Sequence, residues 1–381
     1  MSEWKEYKFS DFVDVNPTVI LKQGSEYSFV EMKDLEDGKR FCYSKIERKL
    51  SSGAKFNEGD TLFARITPCM ENGKICQVKG LKNNKGFGST EFLVFRGKNN
   101  ISDNDFVFYL SRWDEVRGFA ESNFEGTSGR QRVPKNCFDN LNLELPPLQE
   151  QKTIVSILSS LDNKIDLMYR QNKTLEQIAE TLFRQWFVEE AEEDWGIGTL
   201  ADEFDFTMGQ SPPSDSYNDE GNGKIFFQGR TDFDFRFPKI RMFTTQPSRF
   251  AKRFDTLISV RAPVGDMNMA LDDCCIGRGL SAFRYLHNPD FYSYTYYKMR
   301  SLMQQIKLFE DNGTVFGSIT RNDFKRLENI IPPKDLIEKF QKTTKPVDDK
   351  IFSNHNQITS LTRLRDTLLP KLMSGEVRVK I

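Results

Sequence analysis

The chain holds 381 residues, of which 38% are hydrophobic and 13% aromatic, so it can bury sizeable cores and divides into two or three domains at about 100–200 residues each. Its 54 basic and 55 acidic side chains leave a formal net charge of −1, which excludes the bulk basic footprint of a whole-surface polyanion binder. Six cysteines without C-x-x-C spacing, two distant histidines (His287 and His355) and the lack of any run of 18 apolar residues argue against a structural zinc site and against a membrane span.

The first globule, residues 1–147, reads as mixed α and β. Short strand-like runs such as Thr61–Ala64 and Glu91–Phe95 are broken by Gly-rich turns, and most of its phenylalanines belong to a core. Basic and acidic residues balance at 22 each, so any polyanion meets local clusters. One cluster is Lys39, Arg40, Lys45, Arg48, Lys49 and Lys55; another is the loop from Gly126 through Thr127, Arg130 and Gln131 to Arg132. Arg and Gln on Gly-bearing loops are the side chains that read guanine and adenine edges, although the same residues also make ordinary surface.

The clearest signal follows at 148–187. Ile154, Leu158, Leu161, Ile165, Met168, Asn172, Leu175, Ala179, Leu182 and Trp186 alternate four and three apart, the 3.5-residue seam of a coiled coil. A helix of this length runs roughly 60 Å at 1.5 Å per residue, too long for an ordinary core helix. Next come five acids in six residues, Glu189 to Asp194, which read as part of a solvated linker over 188–198.

The second half then repeats the first. Trp4 recurs as Trp195, Asp60-Thr61-Leu62 as Asp255-Thr256-Leu257, Gly126-Thr127 as Gly313-Thr314, and Pro146-Pro147 as Pro332-Pro333. The offset drifts from 191 through 195 to 187 and then holds at 186, so each copy is a variable globule followed by a length-constrained element. The second globule, 199–333, balances 17 basic against 17 acidic residues over 200–333, with a cluster of Arg236, Lys239, Arg241, Arg249, Lys252 and Arg253. The second helix, 334–375, carries the same register at Phe340, Thr344, Val347, Ile351, Asn354, Ile358, Leu361, Arg365, Leu368 and Leu372, ahead of a tail at 376–381. Pro346 predicts a break or kink, with the continuous helix starting close to it. Two long stripes are best buried against each other, with Asn172 and Asn354 lowering stability while fixing register. If a pseudo-twofold axis relates the repeats, the helices run antiparallel.

Catalytic signatures are weak. Ser211-Pro212-Pro213-Ser214 resembles the [DNS]-P-P-[FYW] motif of amino-methyltransferases, but Ser214 removes the stacking face and no F-x-G-x-G donor loop occurs. There is no G-x-x-x-x-G-K-[ST] phosphate loop, Pro289-Asp290 lacks an acid-x-Lys partner, and Gly277-Arg278-Gly279-Leu280-Ser281 has the wrong spacing for a nucleophile elbow. The chain reads as a binder.

Taken together, this layout resembles the specificity subunit of type I restriction-modification systems. The segment L-P-P-L-Q-E-Q (Leu145 to Gln151) followed by Ile154 to Ile165 is similar to that family's opening to its first conserved helix. P-P-K-D-L-I-E-K-F (Pro332 to Phe340) and L-L-P-K-L-M-S-G (Leu368 to Gly375) resemble its second. The departures are Lys334 to Ile337, where the first copy has Leu148 to Gln151, and Pro346.

The resemblance implies an α+β fold with two target-recognition domains joined by two long helices in an antiparallel coiled coil. It also implies double-stranded DNA as ligand, read as a bipartite site with the helix pair as spacer. Two methyltransferase (modification) subunits would methylate adenine, and translocase-nuclease (restriction) subunits would cleave. The chain itself would need no catalytic residue, metal or cofactor, and would work in the cytoplasm, in keeping with a start that lacks a secretion signal. The residues expected to face DNA are Arg40, Arg48, Lys49, Gly126, Thr127, Arg130, Gln131, Arg132, Arg230, Arg236, Lys239, Arg241, Gly313, Thr314, Ser318, Arg321 and Asn322. A coiled-coil scaffold for protein partners and a self-contained DNA methyltransferase are the alternatives. The first predicts no salt-dependent DNA binding even with modification subunits present, and the missing donor motif speaks against the second.

Overall fold

The computed structural model describes residues 3–127, 129–312 and 318–380. In the first repeat β1 (Lys5–Lys8), α1 (Phe9–Phe12), β2 (Val13–Val15), β3 (Glu26–Val30), β4 (Phe41–Tyr43), β5 (Ile46–Lys49), β6 (Ala54–Asn57), β7 (Thr61–Ala64), β8 (Ile75–Lys79), β9 (Lys85–Gly88) and β10 (Phe92–Gly97) precede α2 (Asn104–Arg112), α3 (Asp114–Ser122) and β11 (Asn142–Leu145). The long helix α4 (Leu148–Arg184) follows. The second repeat runs through β12 (Gly196–Thr199), α5 (Leu200–Glu203), β13 (Phe204–Met208), β14 (Tyr217–Asn218), β15 (Lys224–Phe227), β16 (Phe243–Thr244), β17 (Phe250–Ala251), β18 (Thr256–Ser259), β19 (Met267–Met269), β20 (Cys274–Ile276) and β21 (Leu280–Tyr285). It continues with α6 (Tyr292–Ser301), α7 (Met303–Asn312), α8 (Arg321–Arg326) and β22 (Glu328–Ile331) to the second long helix, α9 (Lys334–Met373).

Two compact units result. One joins Met1–Gln171 to Asn354–Ile381, and the other is Asn172–Ser353, so each takes in part of both long helices. The first unit has a five-stranded sheet, β2-β10-β7-β8-β4, a four-stranded sheet, β5-β3-β9-β6, and the pair β1-β11. The second unit has β13-β21-β18-β19, β14-β16-β15-β20-β17 and β12-β22. The runs β2-β10-β7-β8 and β13-β21-β18-β19 are therefore the same antiparallel arrangement, built twice.

Every residue of β7 and β18 is buried, as a central strand covered on both faces requires. The repeated Asp-Thr-Leu tripeptide earns its recurrence by pinning those strands. Asp60 takes a two-pronged ion pair from Arg96 (2.7 and 2.6 Å), and Asp255 takes one from Arg284 (2.8 and 2.7 Å). The copies diverge where Phe12, wholly buried in the first core, is replaced by Glu203, which is 1% exposed. Burial pushes the Glu203 carboxyl above the ordinary glutamate range, against the opposing pull of Lys298 and of hydrogen bonds from Tyr294 and Asn329.

The helices pack antiparallel within each unit. In the first, Ile154 and Leu158 near the start of α4 share a core with Leu369, Leu372 and Met373 near the end of α9, while Ile165 and Met168 further on meet Ile358 and Leu361. In the second, Phe183 lies 5.5 Å from Phe340, ring to ring, in a core with Ala179, Ile337 and Ile351. Asn172 and Asn354 are each 1% exposed.

Most of the seam read off the sequence is buried, and the buried stripe widens by one residue where a seam position is only half-buried. Asp162, Glu176, Phe183, Asp348 and Leu369 are buried, whereas Leu161, Leu175, Leu182, Val347, Leu361 and Leu368 are half-buried. Each helix faces a globule as well as its partner helix, so its buried stripe is broader than a two-stranded seam. Two further expectations are corrected. Helix α9 runs through Pro346 without interruption, because the flanking Thr344, Val347 and Asp348 are held by packing and the proline itself is exposed. The acidic stretch is exposed, but the linker ends before 198: Trp195 is buried and Gly196–Thr199 pairs with β22.

Candidate nucleic-acid interface

Two arginines expected at the surface are interior instead. Arg40, 5% exposed, pairs with Asp105 (2.7 Å) and donates to Gln77 Oε1 (3.0 Å) and the Tyr109 hydroxyl (3.4 Å). Tyr109 in turn donates to Asp162 on α4 (2.7 Å), whose other oxygen accepts from Arg365 on α9 (2.8 Å). Arg236, 3% exposed, pairs with Asp348 on α9 (2.6 Å) and stacks 3.4 Å from the Tyr296 ring centroid. Asp162 and Asp348 occupy the same place in the 186-residue repeat, so each globule is tied to its helices by an arginine, tyrosine and aspartate cluster. Releasing Arg236 toward DNA would leave the buried Asp348 carboxylate without its partner, at about 3–5 kcal/mol, and Arg40 is enclosed with Gln77 and Tyr109 beside the exposed Asp105. Arg40 and Arg236 are therefore structural.

Most of the other expected cations are exposed but already neutralised within their own unit. Arg48 meets Glu31 (3.0 Å) and Arg132 meets Glu91 (2.9 Å); Arg230 meets Asp266 (2.6 Å), Lys239 meets Asp234 (3.4 Å) and Arg241 meets Asp232 (2.5 Å). Lys49, Gly126, Thr127, Arg130, Ser318 and Asn322 are exposed and Gln131 is half-buried, while Arg321 lies over the Phe206 ring at 5.9 Å. Gly313 and Thr314 lie outside the described residues.

Some arginines are uncommitted, and of these Arg65, Arg261 and Arg278 were not singled out in the sequence. Among the described residues Arg65 and Arg130 in the first unit, and Arg249, Arg261 and Arg278 in the second, make no side-chain hydrogen bond or ion pair. Arg65 follows β7 directly, and its Nε is buried without a partner, a state that calls for a ligand or solvent group. The same segment holds the Gly126–Arg132 loop: Ile66 bridges Arg132, Thr67 N donates to Gln131 O (3.0 Å), and Gln131 N donates to Thr67 Oγ1 (3.1 Å).

The second unit repeats this arrangement after β18, where Arg261 bridges Ser318 and Ile319 N donates to Val260 O (3.0 Å). Thr67-Pro68 and Ala262-Pro263, in these matching segments, are both cis. The available signal was position: Arg65 and Arg261 stand five and six residues beyond the repeated aspartates Asp60 and Asp255.

The Ser-Pro-Pro-Ser stretch is built into its own loop. The Pro212 carbonyl accepts from the Tyr217 hydroxyl (2.9 Å) and the Pro213 carbonyl from the Ser216 hydroxyl (2.6 Å), so the groups that would hold a target amine are occupied. Among the described residues no group of three His, Cys, Asp or Glu side chains is placed to hold a metal ion, and no helix is long and apolar enough to cross a membrane.

Two copies of one β-rich domain, each with arginines uncommitted among the described residues beside a loop and each packed on parts of two long antiparallel helices, are an arrangement suited to binding a polyanion. Comparison with known proteins gives the family. Residues 1–177 match the type I restriction modification DNA specificity domain. The putative type I restriction enzyme MjaX specificity subunit of Methanocaldococcus jannaschii is 30% identical over 338 residues, 84% of this chain and 79% of that protein. The HindI specificity subunit of Haemophilus influenzae is 24% identical over 473 residues, 99% of this chain and all of that one. In fold, the chain is similar to the type I S subunit from M. genitalium, with a TM-score of 0.54 at 16% identity over 98% of this chain and 96% of the other. The chain belongs to the specificity subunits of type I restriction-modification systems, and is the DNA-specificity, non-catalytic component of such an enzyme.

Proposed function

We propose that this subunit reads a bipartite site on duplex DNA, one half-site per globule, and so directs adenine methylation and restriction by partner subunits in the cytoplasm. The recognition domains are residues 1–147 and 199–333, and the helical segments 148–187 and 334–375 serve as spacer and as docking surface for two modification subunits, with translocase-nuclease subunits joining for cleavage. The observation that carries this reading is the duplicated arrangement of Arg65 beside the 126–132 loop and Arg261 beside Ser318, each free of internal carboxylates among the described residues. An arginine that need not give up an acid partner can meet a phosphate or a guanine edge at no internal cost.

Arg130, Gln131 and Arg132 lie on the segment bridged to Ile66 and Thr67, Arg321 and Asn322 follow the Ser318 that bridges Arg261, and Arg48, Lys49, Arg230, Lys239 and Arg241 are the further exposed candidates. The near-neutral charge is compatible with DNA binding because partner subunits can share the neutralisation of phosphates.

The test is methylome sequencing of the host with and without the gene. The expected result is one two-part methyladenine motif that disappears on deletion. An unchanged methylome in a host whose modification subunit is expressed would overturn the reading.

A further inference from the structure

We infer that Arg278, presented together with Gln210 and Gln228 at one end of the β13-β21-β18 sheet, reads base edges in the major groove for the second unit. This rests on the DNA-reading function proposed above and specifies where in the second unit the sequence is read.

Three backbone segments converge there. Gly209 N donates to Leu280 O (2.9 Å), Gln210 N to Ile276 O (3.0 Å), Gly277 N to Phe227 O (2.8 Å) and Val260 N to Gly279 O (2.9 Å). The Arg278 N–H donates to Ser211 Oγ (3.3 Å). The approach is too close for side chains on either side of the arginine. A Cβ at Gly209 would stand 2.2 Å from the Gly277 oxygen, and one at Gly279 would stand 2.8 Å from the Gln228 oxygen. The Gly277-Arg278-Gly279 sequence is thereby explained: its glycines let the ends of β13, β15 and β21 pack backbone to backbone, and the arginine is the side chain left to project.

What this platform presents is uniform in chemistry. Gln210, Gln228, Arg249, Arg261 and Arg278 are all exposed, and none has a side-chain partner among the described residues. The nearby carboxylate, Asp232, is 6% exposed and turned inward, accepting from Gln228 N (2.8 Å) and from Arg241 (2.5 Å). Arginine pairs through two hydrogen bonds with guanine O6 and N7, and glutamine does the same with adenine N6 and N7. Placing those side chains on strand ends rather than on a free loop supplies the fixed geometry that two-point recognition demands. The first unit differs at this place: Glu91, the counterpart of Gly279 before β10, has its carboxylate engaged by Arg132. The two units thus carry different chemistry at equivalent positions, as reading two unlike half-sites requires.

The experiment uses the complex reconstituted with its modification subunits, and measures initial methylation rates on duplexes randomised at each position of the site. Arg278→Ala is expected to lower the rate on the preferred sequence about 5- to 150-fold and to relax preference at one G·C position of one half-site, with the other half-site intact. Gln228→Ala should relax a position within that same half-site. Both residues are exposed, and an unchanged melting temperature will show that the variants fold. A uniform loss across all sequences, with a salt dependence shallower by about one phosphate contact, would make Arg278 a backbone clamp and overturn the inference. So would variants that behave as wild type. A wild-type complex with no sequence preference at all would overturn the underlying function as well.

Discussion

The fate of an arginine in this protein is decided by whether a carboxylate reaches it. Asp162 and Arg365 are each 1% exposed at the side chain, 2.8 Å apart, with Tyr109 donating to the same carboxylate and Gly38 O accepting from the same guanidinium at 2.7 Å. Burying two charges gains little over an apolar pair of the same volume, but removing Asp162 leaves the buried Arg365 with only Gly38 O and the exposed Asp366 (2.7 Å), and takes the acceptor from Tyr109. Asp162→Ala is therefore expected to lower stability by about 3–5 kcal/mol in urea denaturation. Pairing Asp162→Leu with Arg365→Met should recover most of that loss. Equal stability of Asp162→Ala and wild type would show that this cluster does not hold the globule on its helices. The half-buried Arg65 and the exposed Arg261 and Arg278, which have no side-chain partner among the described residues, obey the opposite logic, since no ion pair is lost when they turn to a ligand.

At the scale of the helix, tertiary contact overrides local preference. Proline inside a helix lacks the N–H that would bond the preceding turn and costs roughly 3 kcal/mol against alanine, yet α9 is continuous from Lys334 to Met373 through Pro346. The second unit holds it there by burying Phe340, Thr344, Asp348 and Ile351 on one side and leaving Pro346 exposed on the other. Pro346→Ala should accordingly raise the melting temperature, by an amount equivalent to at most about 3 kcal/mol, without altering DNA specificity. A fall in stability would mean that the proline ring is part of the packing. The same contact with the globules explains why the buried stripe widens to take in Asp162, Glu176 and Asp348 beside the half-buried Leu161, Leu175 and Val347.

At the scale of the whole chain, a duplicated sequence produces two units with matching central sheets and matching Asp–Arg and Arg–Tyr–Asp ties. Along the helices the repeat offset holds at 186, in keeping with the proposed role as spacer. Adding one matched helical turn to α4 near Asn172 and to α9 lengthens them by about 5.4 Å. On methylome readout, the gap between half-sites should grow by roughly one to two base pairs, at 3.4 Å each, while both half-site sequences stay the same. A constant gap would remove the spacer role and leave docking alone.

Much of this architecture was legible before any coordinates. The internal repeat, the two heptad-bearing helices and the family likeness are written in short-range spacing, because a helix seam and a tandem copy leave periodic marks that need no knowledge of distant contacts. The sorting of the cations was not written there. Arg236 is buried by Asp348, 112 residues away, and Arg365 reaches the Gly38 carbonyl across 327. Arg278 stands free because glycines from separate strands let three backbones close beneath it. Charge pairing and burial depend on which remote residues the fold brings together, so only the tertiary structure could separate the arginines that hold the protein from those left free to read.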